Sequence, residues 1–240
     1  DKKNLYSLQF NDKIFYNKKI EQQESAYIHI SIDASRSMNA YWNKLITILI
    51  SLIKSFKEFR NIKTVISFRN TFSYNNKETP VVYIVYDNEK SKFELFKHFL
   101  KFFSPFGQTP DGICFSSILN RIKNESQNKK SYFVNISDGL PYFHEEKSGI
   151  LYCNEIAYDH TRLEINKMKK ANIEVLSFYI GEKSAEIENA FKKIYGQNSI
   201  FIQNFENINN DIFIYINKYI YKRTSAALLL SSAIYSGQLR

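Results

Sequence analysis

Only two cysteines, Cys114 and Cys153, occur in 240 residues. They supply no disulfide framework and none of the paired spacings of a zinc site, which favours a reducing compartment. Glycine and proline are also scarce, seven and four respectively, leaving little room for flexible linkers. No apolar run approaches the roughly 20 residues of a membrane-spanning helix; residues 46–53 and 226–235 are too short. No signal-peptide pattern is visible, although the chain starts at Asp1 and not at Met, so the expectation is a cytoplasmic protein without a membrane partner. A phosphate-cradling Gly-rich loop is missing. The four histidines (His29, His98, His144 and His160) are scattered, and no nucleophile–base pair can be read, so the chain is not expected to be an enzyme.

The formal charge is +9. Its lysines are spread through every segment, without a block of like charge or a nucleic-acid motif, so they read as a solvated surface and not as a nucleic-acid site. Apolar residues make up 44% and aromatics 16%, enough for one α/β domain with a full core.

Residues 1–25 read as an extended lead-in with a short alternating patch, Leu5-Tyr6-Ser7-Leu8-Gln9-Phe10. The domain proper spans 26–221, and 222–240 form a tail that could be helical. Within the domain, strands are expected at 27–32, 63–69, 81–86, 131–137, 173–180 and 199–203. Helices are expected at 39–59, 93–103, 113–122, 159–171, 185–195 and 208–221. Residues 70–78 read as a polar turn, making the third strand an antiparallel edge, and 142–158 as irregular. In 93–103 the residues Phe93, Leu95, Phe96, Phe99 and Leu100 read as a core stripe. Strands alternating with helices imply a Rossmann-like, doubly wound α/β fold: a mostly parallel sheet with one antiparallel edge strand and helices on both faces.

Three loops carry the chemistry. Asp33, Ser35 and Ser37 sit at alternate positions between the first strand and a helix, where open α/β sheets bind ligands. Such hard oxygen donors suit Mg²⁺ or Mn²⁺ and not Zn²⁺. The run Gly107-Gln108-Thr109-Pro110-Asp111-Gly112 heads another helix, with Asp111 read chiefly as its N-cap. Asp138 ends a further strand before Gly139-Leu140-Pro141. His144-Glu145-Glu146 reads as a solvated charged loop.

In that order and spacing, these stretches resemble the von Willebrand factor A family and its metal-ion-dependent adhesion site. The resemblance runs from about residue 26 to 221. The family's usual glycine between the two serines is Arg36 here. What the resemblance implies is a metal set of Asp33, Ser35, Ser37, Thr109 and Asp138, holding Mg²⁺, with Mn²⁺ or Ca²⁺ as alternatives. A protein partner would supply a carboxylate to the ion, with Arg36, Gln108 and Leu140 as contacts around it. Ile136-Ser137-Asp138-Gly139-Leu140-Pro141, with Asp159-His160-Thr161-Arg162 expected to open a helix, further resembles the A domain of CobT-type cobaltochelatase subunits and NorD-type activators. That finer resemblance implies an adaptor for a MoxR/CobS-type AAA+ ATPase. The competing expectations are an adhesive or surface-binding A domain and a viral or assembly protein.

Overall fold

The computed structural model describes residues 25–57, 61–127, 129–182 and 184–202. The lead-in, the expected helix at 208–221 and the tail lie outside the described residues. Six strands form one sheet in the order β3-β2-β1-β4-β7-β8. These are β1 (Ala26–Asp33), β2 (Ile62–Tyr74), β3 (Lys77–Asp87), β4 (Lys130–Ser137), β7 (Ile173–Ile180) and β8 (Ile200–Ile202). Every neighbouring pair is parallel except β2–β3, so the antiparallel edge strand falls where expected.

Helices cover both faces. On one side α1 (Trp42–Lys57) and α2 (Phe93–Phe102) pack on Ile28, Ile30 and Ile32 of β1 and on their neighbours. Helix α1 follows a short 3₁₀ turn, Arg36–Ala40, and buries Trp42, Leu45, Ile48, Leu49, Leu52, Ile53 and Phe56. At about 1.5–3 kcal/mol for each large apolar side chain, this stripe is a principal source of stability. On the other side α3 (Asp111–Glu125), α4 (Asn154–Lys170) and α5 (Ala185–Tyr195) enclose Tyr27, Phe115, Phe133, Met168 and Phe191. Cys114 is buried within α3, as its helical position suggested.

The structure corrects four local expectations. The stretch 70–78 is mostly strand: β2 and β3 run on to a two-residue turn at Asn75 and Asn76, both with positive φ. Polar residues there alternate with Phe72 and Tyr74, and asparagine tolerates the left-handed turn conformation. Residues 142–158 hold a small hairpin, β5 (Phe143–Glu145) with β6 (Ile150–Tyr152), and α4 already starts at Asn154. Asp159-His160-Thr161-Arg162 therefore lies inside that helix and does not open it. Glu145 is buried, accepting hydrogen bonds from the Lys147 and Ser148 backbones, which closes the β5–β6 turn. Finally, only Phe93, Phe96 and Leu100 of the α2 stripe are buried, whereas Leu95 and Phe99 are exposed.

The face of β1 toward α3 is polar as well as buried. Ser67, Ser31, Asn135 and Ser177 stand in register across β2, β1, β4 and β7. His29 is fully buried, and its Nε2 lies 2.8 Å from Ser67 Oγ. Burial, reinforced by the Arg121 charge, pushes its pKa down to about 3. The unfolded chain therefore binds one more proton than the native protein between pH 6.5 and 3, and acid weakens the fold by about 1.4 kcal/mol per pH unit through this group. Urea denaturation of the wild type and His29→Gln between pH 7 and 4 should show the variant losing less stability on acidification. Parallel curves would remove the imidazole from the account.

Candidate metal centre

Chain order turns from one direction to the other between β1 and β4, which makes their carboxyl ends the switch point of the sheet. Asp33 ends β1, and Asp138 immediately follows β4. The third contributor, Thr109, precedes α3 on the segment that arrives from α2. The sheet thus brings together at one edge all three loops read from the sequence.

Backbone hydrogen bonds knit the loops before any side chain is considered. Phe106 N donates to Ala34 O (2.9 Å) and Arg36 N to Gly107 O (3.2 Å), joining the Thr109 segment to the serine loop. Thr109 and Tyr142 exchange two backbone bonds, Thr109 N to Tyr142 O at 3.0 Å and Tyr142 N to Thr109 O at 2.8 Å. That pair joins the Thr109 segment to the Asp138 loop. Gly107 is needed at this crossing: its φ is +74°, and a Cβ there would stand 2.4 Å from Thr71 O. Gly112 has a packing task. It sits in α3, where a Cβ would strike the Tyr152 hydroxyl and Thr161 of α4, so it allows close helix packing.

Side chains complete the centre. Ser35 Oγ lies 3.1 Å from Ser37 Oγ, which in turn donates to Asp138 Oδ1 at 2.8 Å. Both oxygens of Asp33 are engaged, Oδ1 by Ser35 N (2.9 Å) and Oδ2 by Ser137 Oγ (2.8 Å). Asp33 therefore shapes the serine loop as well as charging it. Thr109 is buried, and its hydroxyl makes no hydrogen bond among the described residues.

The donor set fits a hard divalent cation. The three oxygens stand 3.1 and 2.8 Å apart in sequence, close enough for one hard divalent cation to contact them together. Electrostatics agree. Burial, then repulsion from Asp33, pushes the Asp138 carboxyl up to about 7, although the Ser37 hydrogen bond opposes this. Asp33 is likewise raised by burial, with Arg69 pulling the other way. Two carboxylates held this close favour a cation between them. Among the described residues no three His, Cys, Asp or Glu side chains group to hold a metal, so the hydroxyls of Ser35 and Ser37 are needed to complete this donor set.

The three residues expected around the ion fare differently. Arg36 is exposed beside the serines. Gln108 is half-buried and committed inward: its Nε2 donates to Glu78 and to His144 O (3.0 Å), while its Oε1 accepts from His144 N (2.7 Å). Leu140 packs partly against the core under α3.

Asp111 does not cap its helix. It is fully buried as the first residue of α3 and pairs with the fully buried Arg69, Nε to Oδ1 at 2.6 Å. Arg69 also reaches Ser31 Oγ (3.2 Å) and Ile136 O (3.3 Å), and its guanidinium carbon lies 5.3 Å from the centre of the Phe115 ring. The Tyr195 hydroxyl at the end of α5 donates to the other Asp111 oxygen. Sequence reasoning missed this node entirely. The one local signal was a charged residue, Arg69, continuing the apolar run of a strand.

These features define a von Willebrand factor A fold. No protein-family model and no curated protein matches the sequence. Solved structures do. The pilus adhesin SpaC of Lactobacillus rhamnosus GG, in its open conformation, superposes with a TM-score of 0.64 at 10% identity. That match covers 84% of this chain and 31% of SpaC, so the chain spans about a third of that adhesin's length. The vWF domain of the type V pili tip protein Mfa5 from Porphyromonas gingivalis gives 0.58 at 10% identity, covering 82% of this chain and 97% of that one. Manganese-loaded TRAP protein of Plasmodium vivax gives 0.58 at 15% identity, over 82% and 74% of the two chains. At such identities the likeness is one of fold.

Two glycine substitutions separate the role of the crossing from general tolerance. Gly107→Ala should cost about 2 kcal/mol or more in urea denaturation, through positive φ and the clash with Thr71. Gly139→Ala, with open space around it, should stay within about 0.5 kcal/mol. Equal losses would show that the Gly107 contact is not limiting.

Proposed function

We propose that this chain is a Mg²⁺-dependent protein-binding module. Ser35, Ser37 and Asp138 would hold the ion, with Thr109 and Asp33 joining directly or through water. The observation that carries the reading is the meeting of the Ser35, Ser37 and Asp138 oxygens, hard donors only, at the switch point of the sheet. Bound there, Mg²⁺ supplies a hard electrophilic contact that an incoming carboxylate can complete. The chain's own residues do the rest: two hydroxyls ligate without quenching the ion's charge, Asp33 fixes the serine loop, and exposed Arg36 stands ready to pair with a second acidic group. The role is binding, not catalysis.

For the partner, the run from Ile136 to Pro141 supports an adaptor acting with a MoxR/CobS-type AAA+ ATPase in the cytoplasm. The position of Asp159-His160-Thr161-Arg162 within α4 does not add to that support. A second reading, an adhesive or surface-binding domain, is favoured by the pilus adhesin and pili tip protein among the similar structures. The two readings place the partner in different compartments.

The decisive experiment is capture of partners by this chain from separate cytoplasmic and cell-surface fractions, in Mg²⁺ and in EDTA. The expected result is a partner retained only in Mg²⁺ and lost with Asp138→Ala. An ATPase from the cytoplasmic fraction would favour the adaptor, and a surface protein the adhesin. Retention in EDTA would sink the metal-dependent mechanism. Arg36→Glu should weaken partner capture at least several-fold while leaving Mn²⁺ binding, read by calorimetry, unchanged; weakened Mn²⁺ binding would instead give Arg36 a role in shaping the loop.

A further inference from the structure

We infer that the buried Arg69–Asp111 pair sets the charge of the metal centre, fixing it at the two negative charges that one divalent cation neutralises. The inference rests on the cation reading above. Three carboxylates lie at the carboxyl end of the sheet, Asp33 ending β1, Asp138 following β4 and Asp111 opening α3, and one guanidinium, that of Arg69 in β2, pairs with Asp111. Arg69 is the register partner of Asp33 on the adjacent strand, and it contacts Ser31 two residues before Asp33. Its charge is thus placed to act on the donors as well as on Asp111.

The pair is balanced internally. Asp111 takes Nε of Arg69 through one oxygen and the Tyr195 hydroxyl through the other, and burial at 0% exposure leaves neither charge a solvent shell. With Asp111 offsetting Arg69, the donors Asp33 and Asp138 meet the ion with less opposing charge beside them. Without Asp111, the guanidinium would remain, since it keeps its proton at any working pH. It would then repel the incoming cation across a short, water-poor distance. Arg69 and Asp111 are accordingly positioning residues: neither is a metal donor, and they act through the field at the donors.

A charge role and a purely structural role predict different patterns. Calorimetry with Mn²⁺ on four forms of the whole chain separates them, each form first checked for folding by circular dichroism. The forms are wild type, Asp111→Asn, the uncharged double variant Arg69→Met/Asp111→Asn, and Tyr195→Phe, which removes a hydrogen bond but no charge. Asp111→Asn should weaken Mn²⁺ binding about tenfold or more. The double variant and Tyr195→Phe should both stay within about threefold of wild type. Should Asp111→Asn not fold, the double variant carries the test, since near-wild-type affinity without either residue is what charge balance requires. A double variant as weak as Asp111→Asn, or Tyr195→Phe weakened equally, would overturn the assignment in favour of geometry. Unchanged affinity in Asp111→Asn would overturn it as well. Failure of the wild type to take up Mn²⁺ would overturn both this inference and the cation reading, whereas uptake by the wild type without the variant pattern overturns only this one.

Discussion

Charged side chains buried beneath the carboxyl edge of a sheet lose several kcal/mol of hydration each unless partners replace the water. In this protein that constraint organises the upper half of the fold. Arg69 and Asp111 are both fully buried, and each is answered: Arg69 by Asp111, Ser31 Oγ and Ile136 O, Asp111 by Arg69 and Tyr195. Removing one member of such a pair leaves an uncompensated charge, at about 3–5 kcal/mol. The node ties together β1, β2, β4, the first turn of α3 and the end of α5, the elements whose alignment brings the metal donors together.

Above that node the loops form a closed ring. The serine loop is bonded to the Gly107 segment, that segment to the Asp138 loop through Thr109 and Tyr142, and the Asp138 loop back to the serine loop through Ser37 and Ser137. Inward-facing Gln108 adds a strut to the β2–β3 and β5–β6 hairpins through Glu78 and His144. A ring held at each corner leaves its donors little freedom to spread. A cation that bound here would therefore meet oxygens already gathered, with little ordering entropy left to lose.

The fold was readable because burial on both faces leaves a periodic trace. The bounds of β7 and α5 follow their apolar pattern residue for residue, and α1 differs from expectation mainly by its initial 3₁₀ turn. The misreadings share one cause, the overriding of local chemistry by long-range partners. Asn70 and Thr71 look like turn residues, yet they are paired in register with Val81 and Pro80. Leu95 and Phe99 look like core, but α2 lies at the sheet's edge with only one face covered.

By itself the sequence determined the alternation of main-sheet strands with the helices between them, the antiparallel edge and the set of oxygen-bearing residues at loop positions, because these depend on local periodicity and on donor chemistry within a few residues. Only the tertiary structure decided the distances between donors that lie about a hundred positions apart, the inward turn of Gln108 and the diversion of Asp111 from helix cap to ion pair. It also decided the net charge of the centre. Each of these is fixed by strand register and by the partners that burial forces on a polar group, neither of which is encoded near the residue concerned.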